Sequence, residues 1–186
     1  MKPGVSTSVA IFAGGKSSRF GTAKSRAKLG GKEFVELIVA SLQSAGLSEI
    51  VLVGGEPNDA DRWGVRFLHD EFVDAGPLGA LITAMRFCET KHLMILPCDV
   101  PKIDAASCQI LSVLPADKDV LVARTKTPQW LCSTWRTSRF EVLEEAFDGG
   151  ERAIHKVVQK LRTDFVDMAI DAFENFNEPH QVKSQP

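Results

Sequence analysis

The chain has 186 residues, 44% of them hydrophobic and 25% charged, with a formal net charge of −2. This size and balance suit one globular domain with a sizeable core, and they argue against a disordered chain, a nucleic-acid coat or a membrane-surface protein. The four cysteines, at 88, 98, 108 and 132, form no CxxC pair, which argues against a zinc or iron–sulfur site and fits a reducing compartment.

In chain order, Ser8–Ala13 reads as a buried strand that runs into Gly14-Gly15. Glu33–Ser44 carries Phe34, Leu37, Ile38 and Leu42 at helical spacing. Glu49–Val53 is a short apolar strand ending in Gly54-Gly55, and Val65–Leu68 another, ending at His69-Asp70. Leu78–Cys88 reads as a buried helix introduced by Gly76-Pro77, and His92–Leu96 as a strand that stops at Pro97-Cys98-Asp99. Asp104–Leu114 can cap and form a helix. Strands are expected at Asp119–Ala123, Trp130–Trp135 and Phe165–Ile170, and helices at Ser138–Phe147 and Glu151–Leu161. The opening residues MKPGVSTSVAIFAGG make no convincing signal peptide and no run of about 18 apolar residues exists. A cytoplasmic protein with no membrane or nucleic-acid partner is therefore expected, as a single domain over 1–186 with a frayed tail at about 183–186.

Alternating strands and helices predict an α/β fold with a doubly wound, mostly parallel, Rossmann-like sheet. In such sheets ligands bind beyond the carboxyl ends of the strands. That rule gathers AGGKSSR, GGE and PCD into one region. Gly14 and Gly15 let backbone approach a ligand, and Lys16, Arg19, Lys24, Arg26, Lys28 and Lys32 all follow before the first acid, Glu33. Taken by composition alone, this stretch is either a phosphate site or a solvated basic loop. The glycine that a P-loop needs upstream of Gly15-Lys16 is Ala10, and the GxGxxG fingerprint is absent. Asp99, a carboxylate ending an apolar strand, reads as a Mg²⁺ ligand or as a turn aspartate; Asp70 reads as a site residue or a surface acid. The four histidines show no metal-ligand spacing, Cys98 reads as a buried small residue, and Trp130 and Trp135 as core or sheet-face aromatics that could flank a flat ligand.

FAGGKSSRFG, Lys24 and LGGKEF, taken with Asp70…GPLGA, PCDVP, QWLCSTWR and NFNEP in that order, resemble the signature of the molybdenum cofactor guanylyltransferases, over nearly the whole chain. The resemblance implies a nucleotidyltransferase that moves GMP from GTP to the terminal phosphate of molybdopterin, with Mg²⁺ as cofactor and pyrophosphate as product. It implies that Phe12, Ala13 and Gly14 contact GTP through backbone, that Gly15 and Arg19 hold the triphosphate, and that Lys24 neutralises it. Asp70 would be a polar residue of the nucleotide site, Asp99 the Mg²⁺ ligand, Asn175 and Asn177 neighbours of the pterin phosphate, and Arg152 an anion contact. Molybdenum-insertion proteins or acceptor molybdoenzymes would be partners. Two departures stand out: Ala23 replaces the aspartate before the lysine, and SRAKL replaces an apolar pair. The alternatives are a molybdopterin cytidylyltransferase, another nucleotidyltransferase, or a non-catalytic nucleotide- or pterin-binding homologue.

Overall fold

The structure, a computed structural model, describes residues 7–14 and 24–176, with Lys24 by its backbone alone. Nine strands and six α-helices are found among those residues: β1 Thr7–Phe12, β2 Lys28–Leu29, β3 Lys32–Glu33, α1 Phe34–Ser44, β4 Ile50–Val53, α2 Pro57–Trp63, β5 Arg66–Leu68, α3 Gly76–Arg86, β6 His92–Pro97, α4 Ala105–Ser112, β7 Val120–Arg124, β8 Pro128–Arg136, α5 Phe140–Asp148, α6 Ile154–Val158 and β9 Thr163–Asp167. No described helix is long and apolar enough to cross a membrane.

Seven strands form one sheet in the order β5-β4-β1-β6-β8-β7-β9. β5, β4, β1 and β6 pair in parallel, β8 runs antiparallel to both β6 and β7, and β9 is again parallel to β7. The expected mostly parallel α/β sheet is therefore found. Buried residues alternate across it as the pleat requires. Val9, Ile11, Met94 and Leu96 face a core shared with α1, α2 and α4, whereas Ala10, Phe12, Leu93 and Ile95 face one shared with α3, α5 and α6. A strand buried on both faces reads as a continuous apolar run, which is why β1 and β6 were plain in the sequence.

Several elements differ from their sequence limits. Asp104 caps α4 as expected, its Oδ1 accepting from the Ser107 N–H at 2.7 Å. The helix expected over Glu151–Leu161 is only Ile154–Val158, because the Glu151 carboxylate accepts from the N–H groups of Arg152 and Ala153 and holds that stretch in a turn. The last strand lies earlier than expected, at Thr163–Asp167. The pattern gave no sign of α2: its seven residues, PNDADRW, are mostly polar, and only Pro57 at its start and Gly64 in the left-handed region (φ 66°) mark it. The β2–β3 hairpin turns on Gly30 and Gly31, both at positive φ, the backbone of a two-residue primed turn.

Candidate nucleotide site

In chain order, the four parallel strands β5, β4, β1 and β6 stand third, second, first and fourth. The winding therefore reverses between β1 and β6, and a crevice opens at their carboxyl ends. Phe12 pairs with Pro97 there, and the Cys98 N–H donates to the Phe12 carbonyl at 3.1 Å. Gly14 and Asp99 both line the crevice at this junction. On the other flank, the Ala13 N–H donates to the Val53 carbonyl at 3.0 Å and the Gly54 N–H to the Leu68 carbonyl at 3.0 Å. Together these ends line a cleft of about 710 Å³ whose walls include Phe12, Gly14, Gly54, Asp70, Pro77 and Asp99. Its size suits a nucleotide-sized ligand.

Small residues keep the cleft open. A β-carbon on Gly54, whose φ is +72°, would lie 3.0 Å from the Gly14 α-carbon. One on Gly14 would point at Asp70 Oδ2, 3.9 Å away. Backbone and carboxylate thus share one wall, with no side chain between them.

Asp70 is locked in place. Its Oδ1 accepts from the Phe72 N–H at 3.0 Å and from the Thr83 hydroxyl at 3.4 Å, while Thr83 Oγ1 accepts from the Glu71 N–H at 3.2 Å. Thr83 is wholly buried on α3. The sequence reading passed over it, although a hydroxyl among the inward residues of LGALITAMR was the available signal, since a buried hydroxyl needs a partner. Beyond Asp70, the Phe72 ring lies 4.7 Å from Phe147, with Arg86 over Phe72 and Arg152 over Phe147 at 5.3 and 3.8 Å. This column braces the loop that presents Val73 and Asp74 to the cleft.

Two expectations meet a different outcome. Arg152 is not aimed at an anion: one of its guanidinium nitrogens donates to the carbonyls of Phe147 and Glu151 and it stacks on Phe147, closing the end of α5. Arg26 is not part of a phosphate-facing basic ring, because its Nε donates to both oxygens of Asp59 at 2.9 and 2.8 Å. Glu33, just before α1, is buried and accepts from Trp63 Nε1 at 2.9 Å and from Arg62 at 2.8 Å.

Of the other candidates, Phe12, Ala13, Gly14, Asp70 and Asp99 come together at the strand ends. Asn175 is exposed, and its neighbour Phe176 donates its N–H to the Asp99 carbonyl at 3.0 Å. Gly15, Arg19, Asn177, Ala23 and the 183–186 tail lie outside the described residues, as does the Lys24 side chain. Trp135 is fully buried with Nε1 on Ser133 Oγ, whereas Trp130 is half-buried and 6.1 Å from His155. β8 carries a bulge there: Ser133 faces Val122 but Gln129 already faces Ala123, so the residues between fall outside the pairing with β7 at the cleft end of the sheet. Arg136, at the far end of β8, binds the carbonyls of Pro115, Ala116 and Lys118 and takes no part in the cleft. Burial raises the Cys132 thiol far above its ordinary value, with the Asp99 charge adding, and raises Cys108 to about 12; neither is a nucleophile.

Nucleotide-sized crevice, glycine-lined strand ends and a switch point between β1 and β6 are the attributes of a nucleotide-binding α/β domain, and the family model of the MobA-like NTP transferase domain matches residues 9–164. The chain belongs to this family. A "Probable molybdenum cofactor guanylyltransferase" of Chloroflexus aggregans is 32% identical over 161 residues, covering 81% of this chain and 76% of that one. One of the same name from Clostridium perfringens is 24% identical and covers 96% of each. Among solved structures, Molybdopterin-guanine dinucleotide biosynthesis protein A of Archaeoglobus fulgidus superposes with a TM-score of 0.77 at 22% identity, over 95% of each chain. The family is one of nucleotidyltransferases, and the shared fold is its α/β domain.

Proposed function

We propose that this protein is a guanylyltransferase of molybdenum cofactor biosynthesis, transferring GMP from GTP to the terminal phosphate of molybdopterin. The observation that carries this is the meeting of Gly14, Asp70 and Asp99 around one cleft at the β1/β6 switch point, in a chain whose family transfers nucleotides. The names of its relatives supply the acceptor and the base.

The reaction forms a bond between a molybdopterin phosphate oxygen and the α-phosphorus of GTP, and breaks the α–β bridging bond to release pyrophosphate. The attacking group is already an anion, so no general base is needed, and positioning and charge stabilisation carry the rate. The β1 end, Phe12 to Gly14, presents backbone to the nucleotide where a side chain would intrude. Gly15, Arg19 and Lys24 stabilise charge moving toward pyrophosphate, as preorganised donors do. Asp70, fixed by Phe72 and Thr83, orients the nucleotide against the Gly14 wall. Asn175 and Asn177 would serve the pterin phosphate, and Trp130 offers a half-buried ring.

Mg²⁺ fits the residues present. The cleft offers hard carboxylate oxygens from Asp99 and Asp70, and no group of three or more His, Cys, Asp or Glu able to hold a metal ion occurs among the described residues. A site of one or two carboxylates completed by substrate phosphates is what Mg²⁺ takes. Asp99 would hold it, and the ion would supply charge neutralisation at the phosphates. Handover of the product to an insertion protein or acceptor molybdoenzyme follows from the same reading.

The test is pyrophosphate release with molybdopterin and Mg²⁺, comparing GTP, CTP, ATP and UTP, with Asp99→Ala as control. Release with GTP alone, lost in Asp99→Ala, supports the proposal. A preference for CTP would move it to a cytidylyltransferase, and no release with any nucleotide would leave a binding homologue, the outcome that Ala23 favours.

A further inference from the structure

We infer that the Arg26–Asp59 ion pair positions Lys24, by fastening the turn that contains it to the wall of the cleft. The inference rests on the transfer reading above for what Lys24 does. Lys24, Ser25 and Arg26 form one 3₁₀ turn. Arg26 Nε donates to Asp59 Oδ1 and Oδ2 at 2.9 and 2.8 Å, so an acid in the first turn of α2 grips the turn. α2 itself follows directly on Gly54 and Gly55, which line the cleft.

An exposed ion pair would fix little. This one is different because the Asp59 side chain is only 1% exposed and a second cation, Arg62, lies 3.7 Å from it. A buried carboxylate is costly unless it is paired, so Arg26 is held to that place. Arg62 is in turn held by Glu33, which also binds Trp63, and that network fixes where Asp59 sits. The turn has a second attachment. Ser25 is 1% exposed, and Ala27 packs with Phe34 and Phe176, whose N–H binds the Asp99 carbonyl. Lys24 therefore opens a segment tied by charge to α2, which comes just after the Gly54–Gly55 wall, and by apolar contact to Phe176, which bonds the Asp99 carbonyl. With its Nε spent on a buried carboxylate, Arg26 serves this link and not the phosphates. It is a positioning residue, one of the charged replacements in SRAKL.

The test compares wild type with Lys24→Ala, Arg26→Gln, Asp59→Asn and the double variant Lys24→Ala/Arg26→Gln, each checked for folding by its melting midpoint. Arg26→Gln serves even where Asp59→Asn folds poorly, since Arg26 is the exposed end of the pair. A misplaced charge-stabilising group lowers kcat, so Arg26→Gln and Asp59→Asn are each expected to lose about tenfold to a hundredfold in kcat, with a smaller change in KM for molybdopterin. The double variant should be no slower than Lys24→Ala alone, since both act through one group. Losses that multiply, or an unchanged kcat in Arg26→Gln where Lys24→Ala is crippled, would overturn the inference and leave the transfer reading standing. Trypsin cleavage after Lys24, mapped by mass, separates the two ideas. Should wild type transfer no nucleotide, the transfer reading falls, and the pair is still judged: cleavage faster by about fivefold or more in Arg26→Gln upholds the tether, and an unchanged rate removes it.

Discussion

Asp99 and Asp119 sit at opposite ends of one sheet and show what environment does to the same carboxylate. Asp99 follows β6 at the carboxyl edge and lines the open cleft. Asp119 precedes β7 at the amino edge, is 3% exposed, and accepts from Arg139 Nε, from the Arg162 backbone N–H and from the Arg162 guanidinium. Those hydrogen bonds hold the Asp119 carboxyl far below the ordinary carboxylate range, Arg162 contributing most. One acid is committed to holding β7, β9 and the start of α5 together. The other lines the cleft. The carboxyl edge of the sheet is built of glycines and cleft-lining acids, and the amino edge of arginine ties such as Arg136 on the carbonyls of 115, 116 and 118. Binding geometry and stability are thus invested at different ends.

The largest expected effect comes from breaking the cleft end. Asp99→Asn should lower pyrophosphate release by about a hundredfold or more while moving the melting midpoint little, because charge stabilisation at phosphoryl groups is where such sites gain their rate. Gly54→Ala comes next. Its β-carbon would meet the Gly14 α-carbon at 3.0 Å from a φ of +72°, so a cost of about 1–3 kcal/mol and a raised KM for the nucleotide are expected, read by thermal melting and steady-state kinetics.

At the other end, Asp119→Asn should destabilise the fold by about 2 kcal/mol, discounted because both arginines are partly exposed, with activity per folded molecule unchanged. Denaturant titration checks it. The same residue sharpens the contrast by pH. Its folded pKa is depressed, so its stabilisation is present above the unfolded value near ~4 and is lost as pH falls through the folded value. Asp119→Asn should therefore show a shallower loss of stability below about pH 4 than wild type. The smallest effect is expected at Arg124→Gln, which removes an exposed pair with Asp167, 42% and 76% exposed. It should leave the denaturation midpoint almost unmoved, as checked by the same denaturant titration.

The arms of the network around Asp59 show where sequence reading stops. α2 was illegible because its one decisive feature, a buried acid, looks in sequence like any surface aspartate. Arg26 was counted with the phosphate-facing cations because its partner lies 33 positions away. The direction of β8 escaped for a similar reason: a strand's own residues set its pleat, and its neighbours set its sense. By contrast, Asp104 capped α4 as expected because a cap acts within one turn of its own chain.

What the sequence by itself determined was the succession of apolar strands and helices, the glycines after β1 and β4, and the carboxylates after β5 and β6. These are local or periodic properties, carried by burial patterns and by backbone freedom at single residues. Only the tertiary structure decided which charges face the cleft and which are consumed in holding it. Sheet order brings Gly14, Gly54, Asp70 and Asp99 to one crevice, and it hands Arg26 to Asp59 and both Arg139 and Arg162 to Asp119. The reason is physical: a charge acts through whatever lies within a few ångströms, and that neighbour is chosen by the fold and not by the adjacent residues.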